Sequence, residues 1–306
     1  MDIFSMIVIV LGLAVFEGVS SFDNAVINAD VLGTVGPKAK KWFLTWGLFF
    51  GVFVIRGLLP WLILWLATPG VGPIDTLLSM FQNNPSAKEA VESAAPILLS
   101  GAGVFLLFLF LHWLFVEPKA YGLPGEKFFH SKGLWFYAVV SVALSAIVWF
   151  AVKIDPMMAF GAVIGSSAFF ITHGFKQQAE QGEEELVDKK SNMSDVSKLV
   201  YLEVIDATFS IDGVLGAFAF TLSVPLILLG NGLGALIVRY FTIHNVERVK
   251  KYIYLKNGAM YSVLFLGVIM LLKSFGIETP EWLAPLTTVG SIGYFYLKSK
   301  KLIKTA

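Results

Sequence analysis

Two stretches of the chain carry acids where apolar side chains are expected. The first, "FEGVSSFDNAVINAD" (16–30), closes the run "IFSMIVIVLGLAVF" and holds Glu17, Asp23 and Asp30. The second, "YLEVIDATFSIDGVLGAFAF" (201–220), holds Glu203, Asp206 and Asp212. Placing Asp23 on Asp212 puts Glu17 on Asp206 and Ser21 on Ser210, with Asn24 and Gly213 next in line. The shared pattern is an acid, three residues, Ser, one apolar residue, then Asp. The candidate ligands are therefore Glu17, Ser21, Asp23, Asn24, Glu203, Asp206, Ser210 and Asp212. Carboxylate, hydroxyl and amide form a hard-oxygen donor set, which suits Mg, Ca or Mn rather than Zn or Cu. The absence of cysteine excludes thiolate sites and disulfides.

A charge at the centre of a bilayer costs about 2.5–3.5 kcal/mol on insertion scales, so these acids need partners. Arg56 in "GVFVIRG" and Arg239 in "GALIVRY" lie deep in later apolar runs and are the expected charge partners. The four aligned acids outweigh the two arginines by the charge of one divalent cation. When that cation leaves, two protons could replace it, because a buried carboxylate without a counter-ion raises its pKa. This chemistry is proton-coupled transport of a divalent cation.

Helix geometry adds a constraint. At about 100° per residue, Glu17, Ser20, Ser21 and Asn24 share one face, while Asp23 falls about 120° from Glu17. Either the helix is irregular between them, with Gly18, Asp23–Asn24 and Gly213 as the tolerant points, or the site spans two packed helices. Glu203 aligns with Ala14 and has no acidic counterpart. It reads as a ligand or as a supporting acid. Asp30 reads as a solvated residue near a mouth of the membrane, Asn231 as a helix-packing amide, and His112, His173 and His244 as interfacial residues at span ends.

The elements that must position these residues follow from composition. The chain has 306 residues, 56% hydrophobic and only 15% charged, with mean hydropathy +0.73. Soluble domains carry about 25% charged residues, so this is a polytopic membrane protein of the all-α class. Net charge is +1 and no basic stripe is present, which argues against nucleic acid as a partner. The start, "MDIF", has no basic n-region, so the first apolar run reads as a retained helix. At about 20 residues per crossing, nine spans are expected, over 3–28, 42–67, 94–116, 134–152, 156–174, 199–221, 225–245, 252–273 and 282–298. Residues 68–93 read as an external loop with a short surface helix, and 176–198 as a flexible polar linker. Lys and Arg concentrate in every second loop, which places the N-terminus outside and the C-terminus in the cytoplasm.

The chain divides into a first repeat (1–116), connecting spans 4 and 5 (117–175), a cytoplasmic polar loop (176–198), a second repeat (199–273) and a final span with a basic tail (274–306). Spans 1–3 pair with spans 6–8 at an offset of five. The two three-helix repeats are then inverted in the membrane, an architecture shared by many secondary transporters.

At these residues the chain resembles the TerC (tellurium-resistance) integral membrane proteins. "EGVSSFDN" resembles the family's Glu followed by S-x-D-N, and "EVIDATFSIDG" its E-L-x-D-I-x-F-A-x-D-S. "GVFVIRG" resembles G-A-L-x-x-R-G, Asn231 to Arg239 resembles N-x7-R, and "YLKNGAMYSVLFLGV" resembles the segment after it. The likeness covers both repeats and is similar to a long TerC-like subgroup catalogued only as a membrane domain of unknown function. Gly213 and Ser210 depart from the pattern's Ser and Ala. The resemblance implies export of manganese, with calcium as the second candidate, across the bacterial inner membrane, and links to metal loading of exported proteins and tellurite resistance. It implies no prosthetic group.

The alternative within the transporter class is export of a small organic or amino-acid solute, with the arginines taking its carboxylate. A membrane scaffold would need a larger soluble region than 176–198. An intramembrane aspartyl protease would need Gly-x-Gly-Asp and Tyr-Asp pairs, which are absent, so no enzyme is expected. Oligomeric state is not read from the sequence.

Overall fold

A computed structural model describes residues 2–21, 28–47, 49–68, 70–81, 85–187, 193–244 and 249–305, and every regular element among them is helical. In chain order these are α1 (Ile3–Ser20), α2 (Pro37–Trp42), two π-helical stretches (Phe43–Gly47 and Phe50–Ile55), α3 (Arg56–Ala67), α4 (Pro73–Phe81) and α5 (Pro85–Phe115). There follow α6 (Glu126–His130), α7 (Trp135–Ala151), α8 (Pro156–Val187), α9 (Asp195–Ala217), α10 (Val224–His244), α11 (Leu255–Ser274) and α12 (Leu283–Thr305).

Four helical segments are long and apolar enough to cross a membrane: Ile3–Ser20, Glu92–Phe115, Pro156–Gln178 and Leu255–Ser274. Arg56–Leu66, Trp135–Ala151 and Val224–Tyr240 are shorter apolar helices. The chain is a multi-pass helical membrane protein. Helices α9 and α12 occupy two further predicted spans but carry more charge. The first holds Lys198, Glu203, Asp206 and Asp212, and the second runs into "KSKKLIK". Large apolar side chains stand on the outer surface, as lipid contact requires. On α7 these include Trp135, Tyr137, Trp149 and Phe150.

Local chemistry explains where the helices start. Asp2 caps α1, its carboxylate accepting from Ser5 N at 2.7 Å. Pro37 opens α2, where its missing N–H costs nothing. Ser194 caps α9, its hydroxyl accepting from Ser197 N at 3.2 Å. Several boundaries differ from expectation: α5 begins at Pro85, inside the stretch read as an external loop, and α12 runs on to Thr305. Helix α1 ends at Ser20 rather than at 28, with Ser21 as its capping residue. Helix α8 continues past 174 to Val187, through half of the polar segment read as a linker. Gln, Ala and Glu are strong helix formers, and polarity alone does not end a helix that is already nucleated.

The core is one large cluster. It joins α1 (Leu13, Phe16), α5 (Phe105, Phe108, Trp113), α8 (Phe169), the end of α9 (Val214, Phe218) and α11 (Leu266, Met270). Helix α5 packs along both α8 and α11, and α1 packs along α10. Small residues make these crossings close, as in other membrane bundles. A β-carbon on Gly161 of α8 would stand 2.5 Å from Ile97 O, and Ser100 Oγ donates across the same crossing to Met158 O at 2.7 Å. A second, small cluster of Val31, Leu32, Phe43, Leu199 and Leu202 lies beside the acids of α9.

Candidate cation site

Arg56 begins α3, immediately after the second π-helical stretch, and is 3% exposed. Its Nη2 pairs with Glu17 Oε1 at 2.8 Å and its Nε donates to the same oxygen at 3.0 Å. Its Nη1 donates to Asp206 Oδ2 at 3.3 Å and to Gly51 O at 3.0 Å. One guanidinium thus ties an acid of α1 to an acid of α9. The planar fork of five donors makes Arg the residue suited to such a bridge. Ser21 Oγ adds a 2.7 Å hydrogen bond to Glu17 Oε1, one helical turn on. Glu17 is 1% exposed, and its second oxygen, Oε2, has no hydrogen-bond partner.

The π-helical backbone sets the second half of the site. Such stretches are rare and recur at functional sites. They bring Gly47 and Gly51 against α9. A β-carbon on Gly51 would lie 3.0 Å from Asp206 Oδ2, 3.7 Å from Arg56 Nη1 and 3.9 Å from Glu203 Oε2. One on Gly47 would collide with Glu203 Oε1. Both oxygens of Glu203 are buried and have no hydrogen-bond partner. Glu203 lies in the fields of Asp206, Arg239 and Arg56. Arg239 stacks its guanidinium on Phe43, 4.1 Å from the ring centroid, and its Nε has no hydrogen-bond partner. Gly213 faces Glu17 Oε2, with no side chain between.

The structure therefore brings together Glu17, Ser21, Glu203, Asp206 and both arginines. It takes Ser210 and Asp212 elsewhere. Ser210 Oγ donates to Asp206 O of its own helix at 2.6 Å. Helix α9 runs unbroken through Asp212, so Asp206 and Asp212 point about 120° apart, as six residues of regular helix require. Asp212 meets Lys176 of α8 in a salt bridge, and its Oδ1 is left buried and without a partner. Asp23 and Asn24 lie outside the described residues. Asn231 is fully buried and neither amide atom has a partner. Asp30 is exposed, with Lys250 Nζ 3.9 Å away. His112 and His173 pack their rings together, centroids 3.8 Å apart, between Phe136 and Phe169.

Lys176, Gly47 and Gly51 were not among the expected site residues. The spacing of Gly47 and Gly51, small-xxx-small within an aromatic run, was the signal for the glycines. Among the described residues, no group of three or more His, Asp or Glu side chains is arranged to hold a metal ion.

A family model described as a protein of unknown function (DUF475) matches residues 22–304. The chain belongs to the DUF475 family. No curated protein and no solved structure matches it. The match to the DUF475 model takes in Arg56, Lys176 and all of α9 and α10, while Glu17 and Ser21 lie just before it.

Proposed function

We propose that this DUF475 protein is a transporter that moves a divalent cation, manganese first and calcium second, out of the bacterial cytoplasm in exchange for protons. The observation that carries the reading is the buried bridge Glu17–Arg56–Asp206, beside which Glu17 Oε2 and both oxygens of Glu203 have no hydrogen-bond partner. Three acids against two arginines leave one negative charge among the described residues, and Asp23 would add another. Buried carboxylate oxygens without donors are costly unless a proton or a cation satisfies them. A cation that binds and leaves turns that cost into a transport cycle.

The packing supports a two-fold arrangement of inverted repeats. The first span (α1) packs on the seventh (α10), the sixth (α9) on the second (the π-helical stretch and α3), and the third (α5) on the eighth (α11). Each contact is the one its sequence counterpart makes in the other half. The resemblance to the TerC proteins supplies the choice of manganese and the bacterial inner membrane, while the nine spans and the orientation come from hydropathy and the placement of Lys and Arg. Solute export has less support, since Arg56 already spends its donors on Glu17, Asp206 and Gly51 O.

The test is flux in proteoliposomes holding the purified full chain. Manganese entry should be matched by proton counterflow and lost in Glu17→Gln and Asp206→Asn. Full flux in both variants would overturn the reading.

A further inference from the structure

Helix α10 carries Asn231 in the small-residue run "GNGLGA" (230–235), and its side chain is fully buried. Neither the amide oxygen nor the amide nitrogen has a hydrogen-bond partner among the described residues. Native interiors satisfy such groups, so each exception calls for a cause. The contacts of α10 show where this amide points. To one side of it, Gly234 lies against α1, where a β-carbon would stand 2.6 Å from Glu17 Cβ and 2.9 Å from Glu17 Cγ. To the other side, Leu228 Cδ1 lies 3.5 Å from the β-carbon position of Gly57, the residue after Arg56 on α3. At about 100° per residue, Asn231 falls midway between Leu228 and Gly234, about 60° from each. The amide therefore faces the wedge between α1 and α3, where Glu17 and Arg56 meet. Arg56 takes only Oε1 of Glu17, and Oε2 is left unpartnered. Packing alone would favour Leu at this position, because an apolar side chain of similar size strands no polar atom.

We propose that Asn231 is a neutral ligand of the transported cation, its amide oxygen joining the spare oxygen of Glu17. An amide oxygen is a hard donor that suits Mn2+ and Ca2+ as carboxylates do. It adds a contact without adding charge, and it takes up no proton near neutral pH. Its contribution therefore favours the metal over the protons that compete for the acids. This role rests on the transport reading above and gives that site a ligand from α10.

The experiment measures Mn2+ binding, from the electron paramagnetic resonance of the free ion, with the purified full chain in detergent, and Mn2+ flux in proteoliposomes. Asn231→Leu keeps the size but removes the oxygen, and it should bind Mn2+ about tenfold more weakly, the worth of one polar contact to a charge. Asn231→Asp keeps the oxygen and adds a charge, so Mn2+ should bind more tightly than in the natural chain, which a packing role would not produce. If Asn231→Leu fails to fold, the aspartate variant decides. Unchanged or tighter binding in Asn231→Leu, or unchanged or weaker binding in Asn231→Asp, overturns the ligand role and leaves transport standing. A natural chain that neither binds nor moves Mn2+ overturns the transport reading, and the ligand role falls with it.

Discussion

Arg56 and Arg239 each lie deep in an apolar run downstream of an acid-bearing stretch, yet they do different work. Arg56 is saturated: its donors reach Glu17, Asp206 and Gly51 O. Arg239 lies flat on Phe43 and leaves Nε without a partner. The acids differ in the same sense. Glu17 shares one oxygen between Arg56 and Ser21, while Glu203, which has no acidic counterpart in the first half, accepts no hydrogen bond. Even the aligned serines part ways, Ser21 to a carboxylate and Ser210 to a main-chain oxygen. Arg56 thus fixes one oxygen each of Glu17 and Asp206, while Glu17 Oε2 and both oxygens of Glu203 stay without a hydrogen-bond partner. The bridge holds the bundle together, and the unpartnered oxygens are where a cation would change the balance.

The largest test of this difference is to remove each guanidinium. Arg56→Met strands Glu17 without its counter-charge and should cost about 3–5 kcal/mol of stability. Arg239→Met loses a ring contact and should cost about 1 kcal/mol. Denaturation midpoints in detergent measure both, and equal losses would erase the distinction. The next effect is on Glu203. Glu203→Gln removes an unsatisfied charge, so stability should hold or rise while metal flux falls about tenfold or more, and a loss of stability equal to that of Arg56→Met would speak against spare capacity. Smaller still is Gly47→Ala. Its β-carbon meets Glu203 Oε1, and the side chain must turn away, so flux should fall a few-fold with little change in folding.

The smallest effect lies outside the spans. Lys119 donates to the main-chain oxygens of Trp113 and Leu114 at the end of α5, yet burial pushes its ammonium down to about 8. The unfolded chain therefore binds the proton more tightly than the folded one between about pH 8 and the ordinary value of 10.5. Stability should rise with pH across that window, and Lys119→Met should flatten the slope in denaturation series taken at its two ends. A slope unchanged by the substitution would assign it to other groups.

Much of this arrangement was legible before the structure. The all-helical membrane class follows from composition, and helices occupy each of the nine predicted ranges. The pairing of Arg56 with acids of two different helices was readable because a deep guanidinium must find counter-charges. Asp206 and Asp212 were expected in one ligand set, and the regular course of α9 sends them about 120° apart. Other features depend on information a one-dimensional pattern lacks. Lys176 looks like the first residue of a polar linker, and only the packing of α8 against α9 turns it toward Asp212. The π-helical stretches change the helical period just where Gly47 and Gly51 approach the acids, and a pattern read at 3.6 residues per turn does not register that change.

At the centre of the transport reading is a cation seated by the spare carboxylate oxygens. Crystals of the full chain soaked in Mn2+ and measured at the manganese edge address it directly. The expected result is an anomalous peak within bonding distance of Glu17, Glu203 or Asp206, absent in Glu203→Gln. A manganese peak confined to surface carboxylates, with none among these acids, would contradict it.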